Sequence, residues 1–197
     1  MSSNLLQIGV LASGSGSNLQ AIIDSCDSGV LRGKARVCVV LSNRRDAFAL
    51  ERARKHSIDA IYIDTASCCC DKLMLSELQK RNTGLVCLAG YMQKISPVIV
   101  AAFPERIINI HPALLPLFGG KGMYGHHVHE AVLSANEKES GATVHFVDDE
   151  YDHGSIILQR RVPVLAGDTC KTLAARVLEV EHRLYPEAIA AIIGGLK

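Results

Sequence analysis

Residues 5–27 read LLQIGVLASGSGSNLQAIIDSCD. An apolar run, Leu5–Ala12, stops at a turn of glycine and serine and passes into helical spacing over Asn18–Asp27. A nearly continuous apolar strand is the kind buried on both faces, as in a parallel sheet covered by helices. The same unit recurs along the first half of the chain. Ala35–Leu41, Ala60–Ile63, Leu85–Leu88 and Ile107–Ile110 read as further buried strands. Between them Ala47–Lys55, Asp71–Lys80 and Pro97–Ala102 read as helices. This alternation predicts an α/β fold with a doubly wound, mostly parallel sheet.

The pattern changes after Pro112. Leu114–Gly125 is a loop rich in glycine and proline, and His126–Asn136 reads as a helix. Thr143–Asp148 and Ser155–Val164 read as an antiparallel strand pair around a turn at Glu150–Gly154. A long C-terminal helix spans Thr169–Gly194, with a bend expected at Pro186. No repeat, low-complexity tract or linker interrupts this order, so residues 1–197 are read as one domain.

Composition excludes several function classes. The 21 basic residues nearly balance the 20 acidic ones, which does not suit a protein that binds by neutralising many phosphates. Aromatics are scarce and tryptophan is absent, against a stacking platform for single strands, so no nucleic-acid partner is expected. No apolar run reaches the roughly 18 to 20 residues of a membrane span, and Met1–Ala12 lacks the basic start and cleavage site of a leader. The seven cysteines are odd in number and form no C-x-x-C pair. Cys68, Cys69 and Cys70 are consecutive, so they cannot all converge on one ion without distortion. Unpaired thiols imply a reducing, cytoplasmic setting. Monomer and homodimer remain equally open.

Two segments carry chemistry. In Ser13-Gly14-Ser15-Gly16-Ser17-Asn18 a glycine-rich strand-to-helix turn lets backbone N–H groups approach an anion at a helix N-terminus. Leu19 stands where a dinucleotide fingerprint needs its third glycine, and no Gly-Lys-Ser/Thr follows. Two readings stand: a monophosphate site, or a tight turn in which Ser17 or Asn18 caps the helix. The second segment, Asn109-Ile110-His111-Pro112, closes the fifth strand. Side chains two apart share a strand face, so Asn109 and His111 point together at the edge where open α/β sheets bind ligands. An amide beside an imidazole there can polarise a carbonyl oxygen. Asp152, in the acidic turn Asp148–Gly154, is read either as a solvated residue or as a carboxylate that favours the His111 imidazolium. His56 is expected at the surface and His145 as a satisfied core group. His126, His127 and His129 lack the paired i, i+4 histidines of a zinc helix, and no metal is expected.

These segments together resemble the folate-dependent formyltransferases, and most closely the phosphoribosylglycinamide formyltransferase (glycinamide ribonucleotide transformylase) family. The resemblance runs from Ser13–Ile22 through Leu88–Met92, Asn109–Pro116 and Gly141–Val147 to Glu181–Pro186. It implies a Rossmann-like fold and transfer of a formyl group from 10-formyltetrahydrofolate, as co-substrate, to the primary amine of 5-phosphoribosylglycinamide in purine biosynthesis. It implies that Asn109, His111 and Asp152 are catalytic. Gly16, Ser17 and Asn18 would hold the acceptor's phosphate, and Glu181 its ribose hydroxyls. Met92, Gln93, Lys94, Ile95, Asn109 and Val147 would line the folate pocket, with Lys72 the nearest basic residue for the folate tail. The chain departs from the family at Asp152-His153-Gly154, commonly Asp-Gly-Gly, where less backbone freedom is expected, and at Gln93-Lys94 and Phe118–Tyr124. The alternatives are a formyltetrahydrofolate hydrolase or another folate-dependent formyltransferase, which carry further domains, whereas this chain ends at Lys197.

Overall fold

The computed structural model describes residues 5–195. Met1–Asn4, where the leader reading begins, and Leu196–Lys197 lie outside them. Seven strands form one sheet: β1 (Leu6–Leu11), β2 (Ala35–Ser42), β3 (Asp59–Tyr62), β4 (Leu85–Leu88), β5 (Ile107–His111), β6 (Glu139–Phe146) and β7 (Ile156–Pro163). Their spatial order is β3-β2-β1-β4-β5-β6-β7; β1 to β5 are parallel, and β6 and β7 are antiparallel. The helices are α1 (Ser17–Ser28), α2 (Phe48–Lys55), α3 (Cys70–Gln79), α4 (Pro97–Ala102), α5 (His126–Ser134) and α6 (Cys170–Gly195). The fold expected from the sequence is the one observed.

Apolar strands are satisfied because both faces are covered. One core joins the sheet to α1, α2, α5 and α6 through Leu19, Ile22, Leu50, Val132, Val177 and Ile189. The other joins it to α3 and α4 through Met74, Leu78, Ile99 and Phe103. The helix α6 continues through Pro186, which is buried within it.

β6 starts at Glu139, four residues before the apolar run that predicts it. Glu139-Ser140-Gly141-Ala142 has little intrinsic strand preference, but its register against β7 supplies the ladder. Gly141 is required there, since a Cβ would collide with the Arg160 carbonyl oxygen. Tyr185, fully buried on α6, places its hydroxyl 2.9 Å from the Leu88 carbonyl and 3.1 Å from that of Ile108. It thereby ties the last helix to the ends of β4 and β5. Tyr185→Phe leaves these contacts without a donor and is expected to cost about 1–3 kcal/mol. Urea unfolding checks this, and an unchanged midpoint would contradict it.

Candidate active site

The strand order reverses between β1 and β4, the place where open α/β sheets form a crevice beyond the carboxyl ends of their strands. Ser13, just past β1, stitches the adjoining loops together. Its N–H donates to Gly90 O (3.0 Å), and its hydroxyl donates to Asn43 Oδ1 (2.6 Å) and accepts from Met92 N–H (2.8 Å). The glycine-rich turn and the segment after β4 are thus one wall.

Gly16 caps α1 in the left-handed region (φ 71°), with no side-chain cap. The expected capping by Ser17 or Asn18 is therefore replaced by backbone conformation, which glycine adopts without a Cβ penalty. A Cβ on Gly16 would also lie 2.8 Å from Ala49 Cα. α2 holds the turn from behind: Ala49 N–H donates to Gly14 O (3.1 Å) and Arg52 Nε to Ser15 O (2.8 Å). The first intrahelical bond of α1 is Gln20 N–H to Gly16 O, which leaves the preceding N–H groups of the first turn for an anion. Arg52, a residue missed by motif reading, adds positive charge beside them.

The side chain of Asn18 does not line this cradle. It is buried and donates from Nδ2 to Glu181 Oε2 at 2.6 Å, with its own Oδ1 left without a partner. Burial raises the Glu181 carboxyl to about 7 against the lowering effect of the Asn18 amide. Because the folded state favours the protonated acid, this stability is fully present below pH 4.5 and is lost as pH rises from there through about 7. Glu181→Gln is expected to flatten this fall, which is at most on the order of 3 kcal/mol. Urea midpoints taken across that window test it; an equal slope in both proteins would contradict it.

Asn109, His111 and Asp152 are brought together. Asp152 Oδ2 lies 3.5 Å from His111 Nδ1, and Asp152 Oδ1 accepts from Asn109 Nδ2 at 3.5 Å. Gly120 N–H donates to Asp152 Oδ2 at 2.9 Å. Asp152 sits in the left-handed region (φ 55°), which short polar side chains tolerate. His111 Nε2 donates to the Phe118 carbonyl at 2.8 Å. With the proton there, neutral His111 turns an unprotonated Nδ1 towards the carboxylate.

A fourth member was missed. His145, read as a satisfied core group, faces Asn109 across the β5–β6 register. Its Nδ1 donates to Phe146 O (2.7 Å), so Nε2 accepts from Asn109 Nδ2 at 3.2 Å. That Nε2 lies 3.6 Å from Asp152 Oδ1.

Asp152 favours a proton on His111, as expected, but burial opposes it. Burial lowers the His111 pKa, and the Asp152 charge and Phe118 carbonyl do not offset it. For Asp152, burial raises the carboxyl, but the His145 contact, the His111 charge and Gly120 N–H together hold it below the ordinary range. The carboxylate is thus held in its charged form, while burial works against charge on the His111 ring.

The surrounding loop is pinned from β6. Thr143 Oγ1 donates to Ala113 O (2.6 Å) and accepts from Leu115 N–H (3.1 Å) and Gln159 Nε2 (2.8 Å). In the acidic turn, Gly154 is the glycine that matters, because a Cβ would collide with the Phe146 carbonyl oxygen. His153 instead clasps Asp148 through Nδ1 at 3.0 Å, so it costs the turn no freedom that it uses. A cavity of about 290 Å³ opens beside Asp152, lined by Leu115, Gly119, Tyr151 and Ile156. Around it, Met92, Gln93 and Lys94 are exposed and Ile95 is buried in the core under α4. Lys94 lies over the Tyr151 ring at 5.4 Å, joining the two loops. Val147 is anchored by its N–H to Ile107 O (2.9 Å). Lys72 is exposed in the first turn of α3.

A carboxylate, an amide and two imidazoles around the end of β5, with an anion cradle two strands away at the end of β1, suit acyl transfer. The formyl transferase family model matches residues 6–189. The chain belongs to the formyl transferase family. Phosphoribosylglycinamide formyltransferase of Escherichia coli (strain K12) is 42% identical over 96% of this chain and 88% of its own length. The chloroplastic phosphoribosylglycinamide formyltransferase of Arabidopsis thaliana is 44% identical over 94% of this chain. The chain spans 65% and 60% of the length of its Arabidopsis and Vigna unguiculata relatives. The crystal structure of glycinamide ribonucleotide transformylase 1 from Symbiobacterium toebii superposes with a TM-score of 0.89 at 48% identity, covering 97% of this chain and 89% of that chain.

Proposed function

We propose that this formyltransferase moves the formyl group of 10-formyltetrahydrofolate to the primary amine of 5-phosphoribosylglycinamide. The observation that carries the reading is the Asn109–His111–Asp152–His145 cluster at the end of β5, two strands along the same sheet from the helix N-terminal anion cradle that follows β1. The acceptor's phosphate sits on backbone N–H groups after Gly16, and Glu181 takes its ribose hydroxyls. The folate ring enters between the Met92–Ile95 segment and the Val147–Asp152 loop.

The neutral amine attacks the formyl carbon, and charge develops on the formyl oxygen in a tetrahedral intermediate. Asn109 Nδ2 and His111 Nε2 donate to that oxygen. For His111 this means exchanging the Phe118 carbonyl for the substrate. As charge builds, the proton lost by the amine is taken up at the His111–Asp152 pair and handed on to N10 of the folate as the bond between N10 and the formyl carbon breaks. No covalent enzyme intermediate is required.

The reading takes residues 1–197 as one formyltransferase domain. It places the reaction in the cytoplasm, which suits seven free cysteines; the plant relatives are named chloroplastic. Among the described residues no helix is long and apolar enough to cross a membrane. Release of deformylated folate, followed with and without the acceptor, tests the proposal. Release only with acceptor is expected; equal release without it would mean hydrolysis.

A further inference from the structure

The first two turns of α5 gather three exposed side chains that formyl transfer does not use. The sequence contains no i, i+4 histidine pair, but the fold adds a carboxylate: His126 and Glu130 stand at i, i+4, and His127 and Glu130 at i, i+3. One ligand atom from each lies within 4.8 Å of the other two. His127 Nδ1 is already 3.7 Å from Glu130 Oε2, and the His126 and His127 rings are 4.0 Å apart between centroids. We propose that His126, His127 and Glu130 form a surface site for a borderline-soft divalent cation, zinc being the natural occupant.

The donor set fits that class. Two imidazole nitrogens and a carboxylate oxygen favour zinc, cobalt, nickel or copper over magnesium and calcium, which want oxygen alone. Tetrahedral bonds of about 2.0–2.2 Å put ligand atoms roughly 3.3 Å apart. The side chains therefore close by an ångström or so, which exposed rotamers do readily. Three protein ligands leave the fourth position to water. His129 is not part of the set, being buried with an unpartnered Nδ1.

The location gives the ion something to hold. α5 begins where the loop from Pro112 ends, and that loop supplies Phe118 O to His111 and Gly120 N–H to Asp152. Cys170, at the start of α6, donates its thiol to the His126 carbonyl at 3.3 Å, so the turn is anchored on its far side. Gly120, Gly122 and Gly125 all have positive φ and soften the loop just before it. A cation there pins the downstream end of that loop.

Titration calorimetry with zinc chloride in a non-chelating buffer tests the site on the full chain. The variants are His126→Ala, His127→Ala and Glu130→Gln, with Cys68, Cys69 and Cys70 changed together to serine as a control. One equivalent is expected to bind the wild type and the serine control alike. Each of the three ligand variants is expected to weaken binding at least about tenfold. Zinc should raise Tm in the wild type and the serine control but not in the ligand variants. Absence of saturable binding, or binding that survives the ligand variants and vanishes in the serine control, would overturn the proposal.

Discussion

His111→Ala is expected to lower kcat by about 10²- to 10³-fold or more, the usual cost of removing a donor to a developing oxyanion. Asn109→Ala should fall in the same range. The two should not be additive, because both act on one oxygen and both touch Asp152. The variants differ in stability. His111 is buried and donates to Phe118 O, so its loss also strands a carbonyl and costs about 1–3 kcal/mol. Asn109 is only half-buried and should unfold closer to the wild type. Steady-state kinetics with urea unfolding on the same preparations separates chemistry from folding. Near-wild-type kcat in either variant would remove that residue from the site.

Asp152→Asn should be nearly as damaging and should leave a different trace. Asparagine tolerates the left-handed backbone at this position and can still accept from Gly120 N–H, so the turn should persist. What disappears is the charge that stabilises a proton on buried His111. A loss in kcat of about 10²- to 10⁴-fold is expected, as for a positioned proton-transfer group. The pH dependence carries the sign. Asp152 is held below its ordinary 3.8, so wild-type activity that needs the carboxylate fails only as pH falls through that depressed value. In Asp152→Asn this limb is flattened. The stability linked to Asp152 follows the same direction: present above the unfolded pKa, lost on acidification through the folded one, and absent from the variant. A pH–rate profile of unchanged shape would take Asp152 out of the role.

Most of the scaffold is legible in the sequence because each β-α unit carries its own periodicity. Leu85–Leu88 and Pro97–Ala102 are recognisable without knowing what packs on them. Asn109 and His111 are legible for the same local reason, since a period of two places them on one face at a strand end. What escapes is whatever the β5–β6 register decides. His145 reads as core until antiparallel pairing sets it opposite Asn109. Thr143 reads as an ordinary strand residue until the loop after Pro112 closes onto its hydroxyl. The backbone groups of Phe118 and Gly120 carry no side-chain signature at all. Asn18 misled because a capping residue and a buried partner of Glu181 have the same identity at the same helix position, and only the packing of α6 on α1 chooses between them. The charge balance at His111 was legible only in part: a neighbouring carboxylate that favours a proton there is visible in sequence, whereas the burial that outweighs it is not.

The central claim is that the Asn109–His111–Asp152 cluster delivers a formyl group to the acceptor's amine. The most direct measurement follows an isotopically labelled formyl carbon from 10-formyltetrahydrofolate in a single turnover with 5-phosphoribosylglycinamide. The account predicts that the label appears as a formamide on the acceptor, with no labelled protein, and that Asn109→Ala and His111→Ala slow its appearance. Label recovered as free formate, or transfer at an undiminished rate in those variants, would contradict it.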